Sequence, residues 1–329
     1  MGHSAARARR FARKARDRIE ARLPQPVAGE ESARIAAAHA RASGAYRARV
    51  NIAYAVPTTS RKASRWHDGF TAAIEVLQAG CDVTWLNLHP SDRAQRQSLL
   101  ALDDCDCLLV KSNWGWIVDD LVRRHASVDG PPRGLLISGT ADPPGPRLMR
   151  FYDSLFFETR WYAPRLRGHP RRIHAFGVDT RVMRPDARAV PDIDWLSVGA
   201  IRPYKRHDRL LGEDGRRVVI GDLTTSDPEI AQTLVEGGVE LHDFATYEEL
   251  AGFYRRARNV LVAATTEGGG ERSVLEARAC GAVVHVADDN PKLRELVRQP
   301  AVWDHEYYAR QLAAGVEVLC GIRPRLTPA

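Results

Sequence analysis

The residues best suited to chemistry lie in the stretch EGGGERSVLEARACG, residues 267–281. Glu267 stands before three glycines, Gly268, Gly269 and Gly270. Glu271, Arg272, Ser273 and Glu276 follow on an expected helix that Gly281 ends. Bare backbone lets a ligand come close, and the free amides at a helix start favour an anion. Phosphate fits such a loop. Glu276, one to two turns into the helix, suits hydroxyl donors such as those of a ribose, so the stretch reads as shaped for a nucleotide.

A second constellation, SVGAIRPYKRHDRLL (197–211), has a strand ending at Gly199 and then Arg202, Lys205 and Arg206. Cations held there would neutralise a departing diphosphate. Alone, the cluster reads first as solvated surface. A glycine loop in the same half of the chain turns the reading toward phosphate.

Two sets of strands are expected to position these loops. RVNIAYAV (49–56), CDVTWLNL (81–88), CDCLLVKS (105–112), RGLLISG (133–139), SLFFET (154–159) and RRIHAFG (171–177) alternate with helical patterns near 66–79 and 115–126. VDTRVMRPDARAVPD (178–192) has two prolines and no periodicity, and reads as a linker. The alternation restarts with DIDWLSVGA (192–200), RRVVIGD (216–222), VELHDF (239–244), NVLVAAT (259–265) and AVVHVAD (282–288). Ligands of open α/β sheets bind at the C-terminal strand edges, where both constellations fall.

Composition agrees with two domains. The 329 residues, 44% hydrophobic and 27% charged, exceed the usual size of one core. Five irregularly spaced cysteines fit neither a disulfide framework nor a zinc module, and point to a reducing cytoplasm. No apolar run approaches the roughly 18–20 residues a bilayer span needs. Of the net charge of +7, residues 1–24 carry eight basic and two acidic residues, hence +6. That arm reads first as a solvated tail and second as a peripheral contact with anionic lipid at the inner face of the membrane. Nucleic acid is the least favoured partner. The Asp-x-Asp of DCDC (104–107) resembles a metal motif but begins a buried strand, where Cys105 and Cys107 read as core.

Taken in order, HAFGVDTRVMRP, SVGAIRPYKRHDRLL, VVIGD, TYEELAGFYRRARNVLVAATTEGGGERSVLEARACG and the following VV strand resemble the retaining GT-B glycosyltransferases of the broad group 1 or family 4 class. The match runs over roughly residues 174–298. The resemblance implies an α/β, GT-B fold: two doubly wound Rossmann-like domains facing a cleft, preceded by the basic arm. Its divisions are an arm (1–44), an acceptor domain (45–177), a linker (178–191), a donor domain (192–304) and a C-terminal helix and tail (305–329).

The resemblance further implies hexosyl-type transfer from a nucleotide diphosphate sugar to an acceptor of unread identity, with retained anomeric configuration and without a metal or other cofactor. Lys205 would hold the donor diphosphate and Glu276 the ribose. Two positions depart from the family pattern. Ala200 stands where an arginine usually follows the strand-end glycine, leaving Arg202 nearest. The first of two paired acids would fall on Gly268, so Glu267, Glu271 or backbone amides must contact the sugar. A catalytically silent nucleotide-binding module and a sugar-nucleotide epimerase are the alternatives.

Phe244 to Tyr247, in HDFATYEELAGFYRRA (242–257), would line the nucleobase pocket by the same resemblance; the competing reading packs Tyr247, Leu250 and Tyr254 as one helix face. In the first half, His67, beside Trp66 and Asp68, is a candidate for acceptor or donor contact. Thr140 and Asp142 of SGTAD (138–142) take the place where the family often has a histidine.

Overall fold

The computed structural model describes residues 46–58, 67–112, 117–139, 145–324 and 326. The basic arm, Trp66, Thr140 and Asp142 lie outside the described residues.

Six strands form the first sheet: β1 (Ala48–Tyr54), β2 (Cys81–Asn87), β3 (Cys107–Lys111), β4 (Arg133–Ile137), β5 (Ser154–Phe157) and β6 (Arg172–His174). They lie in the order β2-β1-β3-β4-β5-β6, all parallel. Helices α1 (Gly69–Leu77), α2 (Gln95–Leu100), α3 (Ile117–His125) and α4 (Pro146–Arg150) make the crossovers. Parallel strands covered on both faces need continuous apolar runs, and β4 and β5 are buried throughout. Cys105 and Cys107 are buried at and before the start of β3. Asp68 starts α1 by accepting from Phe70 N and Thr71 N, while the Thr71 hydroxyl accepts in return from Asp68 N.

The second sheet holds β7 (Ile193–Val198), β8 (Arg217–Ile220), β9 (Glu240–His242), β10 (Ala257–Val262) and β11 (Val283–Val286), in the order β11-β10-β7-β8-β9 and again all parallel. From β7 the chain builds outward through β8 and β9, then crosses to the other side for β10 and β11. The direction therefore reverses between β7 and β10, and the loops leaving these two strands border the crevice there. Those loops carry Gly199 to Arg206 and Glu267 to Gly270. Helices α5 (Pro228–Glu236), α6 (Tyr247–Arg256), α7 (Glu271–Ala279) and α8 (Pro291–Arg298) cover this sheet.

The halves are joined twice. Residues 178–191 lead out of the first, and α9 (His305–Cys320) brings the chain back to it. At the crossing, Val178 N donates to Trp303 O at 3.0 Å and Val178 bridges Asp304. Asp304 also starts α9 by accepting from Tyr307 N at 2.6 Å. Helix α9 lies on the first sheet: Gly315 faces the Phe156 ring so closely that an added Cβ would stand 2.2 Å from it. Tyr308 meets Phe70 at 5.9 Å between ring centres. The C-terminal helix is thus part of the first half's core.

Candidate functional site

Gly199 ends β7 at φ 138°, a conformation few side chains tolerate. The absent side chain leaves room for Lys205. A Cβ on Gly199 would lie 3.1 Å from Lys205 Cε and 3.3 Å from Nζ, so the ammonium lies over the strand end. Lys205 closes a 3-10 turn (Pro203–Lys205) that half-buried Arg202 opens. Arg206 then turns away at φ 54°. Its guanidinium takes Asp289 at 2.8 Å through both terminal nitrogens, and its Nε donates to Ala263 O at 2.6 Å. Arg206 therefore fastens the loop, and its guanidinium is turned toward Asp289 rather than toward the strand end. Beneath them His207 lies 2.8 Å from Ser197 Oγ; burial lowers its pKa to about 4, so the ring is neutral near pH 7.

The glycine loop rests on this turn. Thr265 N donates to Tyr204 O at 2.9 Å, and Gly268 packs so close that a Cβ would stand 2.6 Å from the same carbonyl. Asn290, wholly buried, donates to Ala264 O at 2.9 Å and Thr265 O at 3.1 Å. Gly269 and Gly270 have φ 67° and 105°, and Gly270 caps α7. The ammonium of Lys205, the bare loop and the start of α7 are thus brought together. Glu267 is exposed at the loop.

The carboxylates of α7 are placed differently from one another. Glu271 is 2% exposed, with Oε1 2.6 Å from Nζ of the fully buried Lys292 on α8. This carboxylate is engaged behind the loop by Lys292. Glu276 is 3% exposed and accepts from the Tyr254 hydroxyl at 3.2 Å. Burial raises its pKa to about 7, against the pull of Arg272. Ser273 stands beside the Tyr254 hydroxyl. Tyr247 and Tyr254 are buried, with Leu250 partly so, which is the packed helix face weighed above.

Across the crevice, Arg272 reaches the first half, its Nη1 2.7 Å from Asp68 Oδ2. Burial works against the guanidinium charge, yet Asp68 and Glu276 hold its pKa above the usual value. Asp68 is 1% exposed, and the pair joins the two halves. His67 is drawn to the linker: its Nε2 lies 2.9 Å from Asp179 Oδ2, a hydrogen bond that raises its pKa. Asp179 also accepts from Arg181 Nε at 2.9 Å. Although burial opposes it, these partners hold the Asp179 carboxyl far below the usual range. In the structure, then, His67 is tied to the junction between the halves.

Two further charged groups at this edge went unread in the sequence. Lys111 ends β3, with its ammonium 4.7 Å from the Phe70 ring centre; burial lowers its pKa, with Glu158 and Asp68 opposing. Among the described residues it makes no ion pair. Glu158 follows β5, is 5% exposed, and accepts from Gly139 N at 3.1 Å. Burial raises its pKa to about 7. A charged residue closing each of the buried runs CLLVK and SLFFE was the available signal. No cluster of metal-ligating residues occurs among the described residues.

By sequence the chain matches no protein-family model and no curated protein. Solved structures align with most of it. AviGT4, a glycosyltransferase involved in avilamycin A biosynthesis, aligns with TM-score 0.56 and 15% identity over 83% of this chain and 98% of its own. Anabaena HepE in complex with UDP-glucose gives 0.55 and 10% over 84% and 93%. Sucrose-phosphate synthase from Thermosynechococcus elongatus gives 0.52 and 13% over 84% and 95%. With two parallel sheets, a crevice between them and an alignment spanning both, the chain has the GT-B fold of the glycosyltransferases.

Proposed function

We propose that the chain transfers a sugar from a nucleotide diphosphate sugar to an acceptor hydroxyl. The carrying observation is the seating of Lys205 over Gly199, with the glycine loop resting on the Tyr204 carbonyl beside it, at the reversal point of the second sheet. In the transfer, the acceptor hydroxyl oxygen bonds the anomeric carbon as the bond from that carbon to the diphosphate oxygen breaks; the electron pair leaves with the diphosphate, which takes up the hydroxyl proton. Preorganised charge there lowers the barrier. Lys205, Arg202 and the amides of Gly270 to Arg272 supply it, and Glu276 holds the ribose once Tyr254 yields its hydrogen bond. Retention of configuration and independence of a metal follow from the family resemblance. HepE was crystallised with UDP and with UDP-glucose, which makes uracil the first base to test.

The burial of Glu276 and the engagement of Glu271 favour one second reading, a nucleotide-binding module without turnover. Both readings are separated by one experiment. UDP, GDP and ADP are screened for a rise in melting temperature, and the corresponding nucleotide sugars for nucleotide release. A shift with release supports transfer or donor hydrolysis, a shift without release supports the silent module, and no shift with any nucleotide refutes both.

A further inference from the structure

The segment RWYAPRLRGHPRR, residues 160–172, contains five arginines and no acid. It runs from the end of β5 to the start of β6 at the edge of the first sheet, and Arg160, Arg165, Arg167, Arg171 and Arg172 are all exposed. Elsewhere on the surface arginines commonly stand against carboxylates, as do Arg47 with Asp82, Arg216 with Asp192 and Glu240, and Arg258 with Asp194. Here, among the described residues, none of the five makes an ion pair.

Backbone hydrogen bonds and ring stacking hold the segment. Arg165 donates to Trp161 O at 2.9 Å and stacks on the Trp161 ring at 3.5 Å, and Arg172 donates to Ala163 O at 3.0 Å. Glu295 of α8 accepts from the backbone N–H groups of Arg160 at 2.8 Å and Trp161 at 3.1 Å, and among the described residues it makes no ion pair with the arginine side chains. These hydrogen bonds fix the loop, and among the described residues no acidic side chain pairs with its five charges. Like charges crowded on one loop repel one another, so the arrangement is stabilised when an anionic surface meets it.

We propose that this loop is a docking surface for an anionic lipid bilayer. Guanidinium groups bind lipid phosphates through paired N–H donors, and a half-buried tryptophan among them suits the headgroup layer. The charge sits on one compact loop braced by Pro164 and Pro170 at a sheet edge, a shape for a flat anionic surface; a nucleic acid would ask for a groove that follows its backbone. The surface is independent of sugar transfer, and its test reads binding alone.

The full chain is sedimented with vesicles of phosphatidylcholine, with and without phosphatidylglycerol, at low and physiological salt. Each arginine near such a surface contributes about 1 kcal/mol, and about 1.4 kcal/mol is a factor of ten. Arg160→Gln, Arg167→Gln and Arg171→Gln combined should therefore lower partition into the anionic vesicles about a hundredfold. The same three positions as Arg→Lys should keep most of the binding. Should the triple Gln variant melt early, the single Arg167→Gln and Arg171→Gln variants, each expected to lose about fivefold, carry the same test. Wild-type binding that ignores phosphatidylglycerol overturns the proposal. So does a folded triple Gln variant that binds like the wild type, because the charge of residues 1–24 would then account for it. Loss of binding to a uridine-only RNA with vesicle binding intact would also overturn it and assign the loop to nucleic acid.

Discussion

Gly268→Ala tests whether the seating of the glycine loop on the Tyr204 turn makes the anion site. The added methyl would stand 2.6 Å from Tyr204 O, 2.9 Å from Ala264 Cβ and 3.2 Å from Thr265 O. Two of these are backbone atoms and cannot rotate aside. Ordinary contact begins near 3.4 Å, so the loop and the turn must part by about 0.8 Å, the difference between 3.4 and 2.6. The Thr265 N–H to Tyr204 O bond, now 2.9 Å, would be stretched out of hydrogen-bonding range. Overpacking costs about 1–3 kcal/mol and the lost bond about 1 kcal/mol. A loss of ~2–4 kcal/mol should lower the melting temperature by ~3–6 °C in a chain of this size. A displacement approaching 1 Å next to the reacting group should lower turnover ~100-fold. Gly252→Ala is the control, since a Cβ there meets nothing within 4 Å on α6. It should stabilise the chain by ~0.5–1 kcal/mol through helix propensity. Thermal melts with and without UDP, together with nucleotide release, read both variants. If Gly268→Ala melts, binds nucleotide and turns over like the wild type, the loop does not depend on that contact and the reasoning fails.

Three other outcomes are expected. Lys205→Ala should lower turnover ~10²- to 10³-fold, as loss of a preorganised charge does, with the melting temperature nearly unchanged; full turnover would remove Lys205 from the diphosphate. Lys292→Met leaves the Glu271 carboxyl buried and unpaired, which should cost ~3–5 kcal/mol, while Glu271→Gln with Lys292→Met should recover most of that and keep nucleotide affinity. Equal melting of the single and double variants would show that the pair is not coupled. Glu276 has a folded pKa raised from 4.5 to about 7, so its contribution to stability is complete below about pH 4.5 and is lost as pH rises through about 7. Relative to Glu276→Gln, the wild type should lose on the order of 3 kcal/mol across that window, and a difference independent of pH would contradict the burial of this carboxyl.

The sheets were legible because parallel strands covered on both faces must be written as unbroken apolar runs; NVLVAAT and RGLLISG each fall on a strand. The glycine loop was legible for a related reason, since three glycines before a helix have few other uses. Contacts across the crevice were not. His67 is 112 residues from Asp179, and nothing in either neighbourhood foretells their bond. Lys292 and Glu271 lie on separate helices, so the acid beside the glycines looked free to face a sugar. Lys111 and Glu158 read as the polar ends of strands, because the sequence does not show which strand ends another domain will cover. Arg206 looked equal to Lys205 until its left-handed backbone turned it toward Asp289.

The return of α9 to the first sheet has a consequence for how the chain is made. The first half emerges from the ribosome before the second, and the helix carrying Tyr308 and Gly315 follows the second. At roughly 5–20 residues per second, the interval between residue 177 and residue 320 is about 7–30 s. Through that interval the Phe156 and Phe70 side chains lack their covering helix, and the nascent first half exposes an apolar sheet face. Its folding is completed only when synthesis of the second half is over, so a stop codon anywhere in the second half leaves both halves unfinished.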